Sequence, residues 1–145
     1  MKIERFDHVS FTVAELDRSI AFYARFGYEP IGRRRSDGIM STGEVTSTDV
    51  DVEIVWLRAA GGGPMLELVR YLGEPAERAR PNSRVGAAHL CFAVSDLQDS
   101  YEELRGDGVP FLSPPRTDQL GTVWVYMRDP DGNTVELIQD PPRGS

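Results

Sequence analysis

At 145 residues, with 40% apolar and 27% charged side chains and a formal net charge of −7, the chain has the composition of one globular domain able to close a core. The acidic balance, with no basic cluster beyond Arg33, Arg34 and Arg35, argues against a nucleic-acid partner, and no apolar run approaches the roughly 20 residues that span a bilayer. The N-terminal MKIERFDHV lacks the apolar stretch of a secretory signal and the single Cys91 cannot form an internal disulfide, so a reducing, cytoplasmic setting is expected.

In chain order, HVSFTV alternates like a strand, and a helix should open near Glu15, with Leu16, Ile20 and Tyr23 at helical spacing and Gly27 free to end it in the left-handed conformation. YEPIGRR, VDVEIVWLR and PMLELVRY then read as three strands. The stretch from Gly73 to Gly86, with Pro75, Pro81, Asn82 and Ser83, has linker chemistry. Beyond it HLCFAV is again a strand, and a helix opens near Asp96 with Leu97, Tyr101 and Leu104 on one face and Gly108 at its end. VPFLS, TVWVYMR and NTVELIQD complete the pattern as strands, with RDPDGN as the hairpin between the last two.

The two halves are a repeat. Residues 8 to 27 align without a gap on 89 to 108: His8 meets His89, Phe11 meets Phe92, Val13 meets Val94, Leu16 meets Leu97, Ser19 meets Ser100 and Gly27 meets Gly108. Each half runs strand, helix, strand, strand, strand. A single domain over 1–145 is expected, made of modules at about 5–72 and 87–139 joined near 73–86.

Alternation says where the histidines point, because successive strand side chains face opposite ways. Val9, Phe11 and Val13 oppose His8, Ser10 and Thr12, and Leu90, Phe92 and Val94 oppose His89, Cys91 and Ala93. The larger apolar set belongs under the helix, so both histidines are expected on the other face. Glu67, between Leu66 and Leu68, and Glu136, between Val135 and Leu137, join that face by the same rule. Either histidine alone fits a hydrogen-bonded structural role and either glutamate a solvated one; four such groups in register favour a metal, because unpaired buried carboxylates are destabilising and a divalent cation removes that penalty. Imidazole and carboxylate donors together suit Zn²⁺, Ni²⁺, Co²⁺, Mn²⁺ or Fe²⁺. Cys91 is expected to be a small lining residue of this face, Trp124 and Tyr126 to be mainly core, and Arg33–Arg35 to be a solvated run or a contact for an anionic substrate group.

With DHVSFTVAELDRSIAFYARFGYEPIG at the start, AAHLCFAVSDLQDSYEELRGDGVPFL at the midpoint and MRDPDGNTVELIQ at the end, the chain resembles the vicinal oxygen chelate superfamily over roughly residues 5 to 139. The superfamily includes glyoxalase I, methylmalonyl-CoA epimerase, extradiol dioxygenases, fosfomycin resistance enzymes and metal-free bleomycin-binding proteins. The resemblance implies an α+β fold of two tandem βαβββ modules, a curved mixed sheet around a central cleft with the helices outside. It also implies a divalent metal on His8, Glu67, His89 and Glu136, a small-molecule substrate with a carbonyl or vicinal oxygens, and a homodimer.

Two histidines and two glutamates look more like glyoxalase I or the epimerase than like the extradiol dioxygenases and fosfomycin enzymes, which resemble each other in using two histidines and one carboxylate. Both reactions move a proton on carbon next to a carbonyl, so a metal-dependent lyase or isomerase working through an enolate or enediolate is expected. The departures from glyoxalase I are Val69, Arg70 and Tyr71 after the first glutamate, and Ser10 and Phe11 where a basic residue would meet the glutathione carboxylate. They rank lactoylglutathione chemistry below an epimerase-like reaction. Glu136 is the expected base, with Glu44, preferred over Asp49, as the separate catalytic carboxylate that the epimerase resemblance implies. The alternatives are an antibiotic-binding resistance protein and an Fe(II) extradiol-type dioxygenase.

Overall fold

A computed structural model describes residues 3–36, 51–73 and 85–141 of the chain. The chain divides into two units, Met1–Glu77 and Arg78–Ser145, each with a four-stranded sheet and one helix. The first holds β1 (His8–Thr12), α1 (Leu16–Ala24), β2 (Tyr28–Ser36), β3 (Asp51–Ala59) and β4 (Met65–Leu72). The second holds β5 (His89–Ala93), α2 (Leu97–Gly106), β6 (Arg116–Thr117), β7 (Val123–Arg128) and β8 (Thr134–Gln139). The α+β, two-module architecture is the expected one, with the mixed sheet divided into one four-stranded sheet per module.

The strand orders are β1-β4-β3-β2 and β5-β8-β7-β6, so the sheets are topologically identical. β1 runs parallel to β4 and β5 parallel to β8, and the other pairs are antiparallel. A parallel pair needs a crossover, and the helix and two strands between its members supply it.

Each helix begins and ends for local reasons. Asp96 caps α2 by accepting from the Asp99 N–H at 3.0 Å, while Glu15, one methylene longer, makes no side-chain cap on α1. Gly27 (φ 76°) and Gly108 (φ 82°) stand just beyond the two helices in the left-handed region, where a side chain would be strained. Leu16, Phe22 and Tyr23 of α1 are buried, with Phe11 of β1 6.3 Å from Tyr23 between ring centroids. Val55, Leu57, Leu66 and Leu68 share the face of Phe11 and are buried, and in the second unit Leu97, Leu104, Val125, Met127, Val135 and Leu137 are buried likewise. Each such aliphatic side chain contributes about 1.5–3 kcal/mol by leaving water.

The hairpin expected at RDPDGN is held from inside. Asp129 is buried and accepts from the Asp131 N–H at 2.9 Å, the Asn133 N–H at 2.8 Å and the Asn133 side-chain amide at 2.9 Å. This fixes the register of β7 against β8, which sets Tyr126 opposite Glu136.

VPFLS differs from its expected form. It pairs only through an isolated bridge, Phe111 with Met127, and the ladder strand beside β7 is Arg116–Thr117. Pro110 has no N–H to give, and Pro114 and Pro115 break the chain before β6, so the segment touches β7 without building a ladder. The stretch expected as a linker lies largely outside the described residues, as do Glu44 and Asp49.

Candidate functional site

The parallel pairing of the first and last strand of each unit brings its histidine to its glutamate. In the first sheet His8 pairs with Met65 and Ser10 with Glu67; in the second His89 pairs with Thr134 and Cys91 with Glu136. Positions two apart share a face, so each glutamate lies one side-chain step from its histidine. His8 Nε2 is 3.7 Å from Glu67 Oε2, and His89 Nε2 is 3.0 Å from Glu136 Oε2. The histidine side chains are 40% exposed and the carboxylates only 16% and 13%, so the imidazoles form the outer edge of each pair.

The structure thus makes two His–Glu pairs, one per unit, from the four residues singled out in the sequence. Among the described residues no group of three or more His, Cys, Asp or Glu side chains gathers as a metal site. The donor chemistry of each pair suits a divalent cation, with one imidazole nitrogen and one carboxylate oxygen on a common face.

The pairs differ in what supports them. His8 Nδ1 lies 3.1 Å from Asp7 Oδ2, and Arg5 Nε donates to Asp7 Oδ1 at 2.8 Å. The hydrogen bond with His8, then that with Arg5, holds the Asp7 carboxyl below its usual range. A proton on Nδ1 facing Asp7 leaves the Nε2 lone pair directed at Glu67, the tautomer that a metal ligand needs. Ala88 stands at the matched position of the second unit, so His89 has no such partner there among the described residues. Asp7 is not singled out by the sequence because it lies outside the repeat, although the DH dipeptide in FDHV is its signal.

Glu136 instead collects neighbours across the sheet. Cys91 and Tyr126 flank it on either side in register, and its carboxylate acts on the titration of both side chains. Burial, and then the negative charge and hydrogen bond of Glu136, push the Cys91 thiol up to about 11. Cys91 is therefore a neutral donor at physiological pH, in keeping with a lining role. Burial first, then Glu136, raises the Tyr126 phenol as well. Its ring meets the His89 imidazole edge-on, with centroids 5.4 Å apart and an interplanar angle of 84°.

Tyr126 and Trp124, expected mainly as core, share the face of His89 and are only partly buried, while Val125 and Met127 enter the core. The period-two alternation is as expected, but the aromatic pair lies on the polar face. In the first sheet Trp56 stands beside Glu67 where Tyr126 stands beside Glu136, and Ser10 where Cys91 stands. The first sheet also carries an apolar cluster on the glutamate face: Val52 and Val69 are buried, with Ile54 and Tyr71 packed on them.

The glyoxalase/bleomycin resistance protein/dioxygenase superfamily model matches residues 5–137, which takes in both His–Glu pairs. The chain belongs to this superfamily. It is 26% identical over 141 residues to the protein YwkD of Bacillus subtilis, covering 96% of this chain and 99% of that one. It is 26% identical over 155 aligned positions to a lactoylglutathione lyase of Pseudomonas putida, covering 94% and 86%. Among solved structures, a glyoxalase family protein from Bacillus cereus superposes with a TM-score of 0.83 at 26% identity, covering 97% of each chain. Superfamily members typically use divalent metals and bind small molecules. No helix among the described residues is long and apolar enough to cross a membrane.

Proposed function

We propose that the chain is a metal-dependent lyase or isomerase that removes a proton from carbon next to a carbonyl, with His8, Glu67, His89 and Glu136 as its divalent-metal ligands. The observation that carries this reading is the matched pairing of His8 with Glu67 and His89 with Glu136 on equivalent faces of two equivalent sheets. The likeness to a lactoylglutathione lyase along most of both chains supports the same class.

A cation bound there supplies Lewis-acid stabilisation of the oxygen on which negative charge develops. The rest falls to the chain's own groups. Glu136 is the proposed base. His89 Nε2 lies 3.0 Å from its carboxylate, and Cys91 and Tyr126 flank it across the sheet, which restricts the orientation in which it meets the substrate carbon. A positioned base of this kind contributes about 10²–10⁴-fold in rate. The absence of a basic residue at Ser10 and Phe11 favours an epimerase-like substrate over a glutathione adduct. The reading extends to a homodimer in the cytoplasm.

The test is solvent deuterium exchange. Protein loaded with Ni²⁺, Co²⁺, Mn²⁺ or Zn²⁺ is incubated in D₂O with methylmalonyl-CoA and, separately, with the methylglyoxal–glutathione adduct, and label at the carbon next to the carbonyl is followed by NMR. Exchange that disappears in Glu136→Gln supports the proposal. Absence of exchange with every metal, alongside tight binding of a small molecule, would instead support the sequestering protein that the aromatic pair Trp124 and Tyr126 also suits.

A further inference from the structure

The sheet register contains one more matched pair. In the first unit Thr12, Val69, Ile54 and Arg34 lie side by side across the four strands. In the second, Ala93, Ile138, Trp124 and Arg116 form the same row. Each row is two residues along the strand from the row of Glu67 or Glu136, so both arginines lie on the His–Glu face of their sheet. Linear alignment hides this equivalence, because 82 positions separate the arginines and 69 the glutamates.

Their surroundings distinguish them from other arginines. Arg33 and Arg35 point to the helix face and are paired, with Asp17 at 3.2 Å and Asp51 at 3.4 Å. Arg34, between them, faces the other way and is exposed, with no ion pair among the described residues. Arg116 is exposed too and lies over the Trp124 ring, 5.9 Å from its centroid, with no carboxylate partner among the described residues. Stacking on an aromatic face orients a guanidinium while leaving its in-plane N–H groups free.

We propose that Arg34 and Arg116 are anion-recognition residues of the two His–Glu faces, and that the molecule handled there carries a carboxylate or phosphate group separate from its carbonyl. This rests on the reading of those faces as the substrate side. With strands about 4.8 Å apart and about 3.4 Å of rise per residue, the backbones of Glu67 and Arg34 stand about 12 Å apart. The anionic group therefore lies several bonds from the carbonyl and not on the adjacent carbon. Ile54 and Trp56 floor the interval in the first sheet, and Trp124 and Tyr126 in the second, so a short carbon chain would cross apolar surface between two polar ends. A planar fork of N–H donors binds either oxyanion bidentately.

Tryptophan emission during titration with inorganic phosphate, and separately with glutarate, tests this in the full chain, since Trp56 and Trp124 are its only tryptophans. At least one anion should bind the wild-type chain, and Arg34→Gln with Arg116→Gln should raise its dissociation constant at least about tenfold, the scale of a charge-assisted hydrogen bond. Arg33→Gln should leave it unchanged. A response to phosphate alone identifies a phosphoryl group and a response to glutarate alone a carboxylate. Circular dichroism checks that each variant is folded. Failure of both anions to bind, or binding unaffected by the double substitution, would overturn the proposal. Arginine-dependent anion binding in a protein that shows no deuterium exchange would defeat the proton-abstraction reading and leave this one standing.

Discussion

His89 Nε2 stands 3.0 Å from Glu136 Oε2, within hydrogen-bond distance, whereas its repeat counterpart His8 stands 3.7 Å from Glu67 and turns its other nitrogen to Asp7. One topology thus holds two differently supported His–Glu pairs. The second is fixed through its carboxylate, by Tyr126 and Cys91, and the first through its imidazole, by Asp7.

That difference predicts two separable losses. Asp7→Ala should weaken metal binding about 10–100-fold by releasing the His8 tautomer, and Tyr126→Phe should do the same through Glu136, the usual effect of removing a group that orients a ligand. Calorimetric titration with Ni²⁺ measures both. Wild-type affinity in both variants would show that neither group orients a ligand.

The thiol offers a test by pH. Raised from 9.0 to about 11, Cys91 is a thiol in the folded protein over a range where an unfolded chain would begin to ionise. Its contribution to stability is complete below the unfolded value near 9 and is lost as pH rises through the folded value near 11. At pH 8 the metal-free protein should react with iodoacetamide about 100-fold more slowly than an ordinary thiol, since each unit of pKa is tenfold in thiolate. Glu136→Gln removes the neighbouring charge and should accelerate the reaction. Alkylation at the ordinary rate would contradict the close contact of Cys91 with Glu136.

Asp129 is the structural counterpart of these site residues. Its carboxylate accepts hydrogen bonds from Asp131 and Asn133 inside the turn that aligns Tyr126 with Glu136. Asp129→Ala should destabilise the protein by about 2–4 kcal/mol, because several charge-assisted hydrogen bonds disappear together. Urea denaturation checks this, and a change below about 0.5 kcal/mol, the scale of an ordinary surface substitution, would show that the turn holds without its centre.

Features that depend on period and repeat are legible in the sequence. Strand alternation finds the faces of His8, Glu67, His89 and Glu136, and the ungapped alignment of the helical halves finds the module. Features that depend on pairing between strands are not legible. Arg34 and Arg116 become equivalent only through the ladders, and VPFLS has strand-like residues but three nearby prolines that prevent a ladder. Tyr126 and Trp124 mislead because large aromatic side chains suggest a core, whereas parity puts them with the glutamate. Asp7 gives no repeat signal because it supports His8 in one module and has no counterpart in the other.

The most direct measurement is the metal stoichiometry of the purified chain, by elemental analysis after loading with Ni²⁺ or Co²⁺, in wild type and in His8→Ala and His89→Ala. The wild type should bind a divalent cation tightly, and both variants should lose bound cation with the circular dichroism unchanged. Retention of that cation by both folded variants, or no binding of any divalent cation by the wild type, would contradict it.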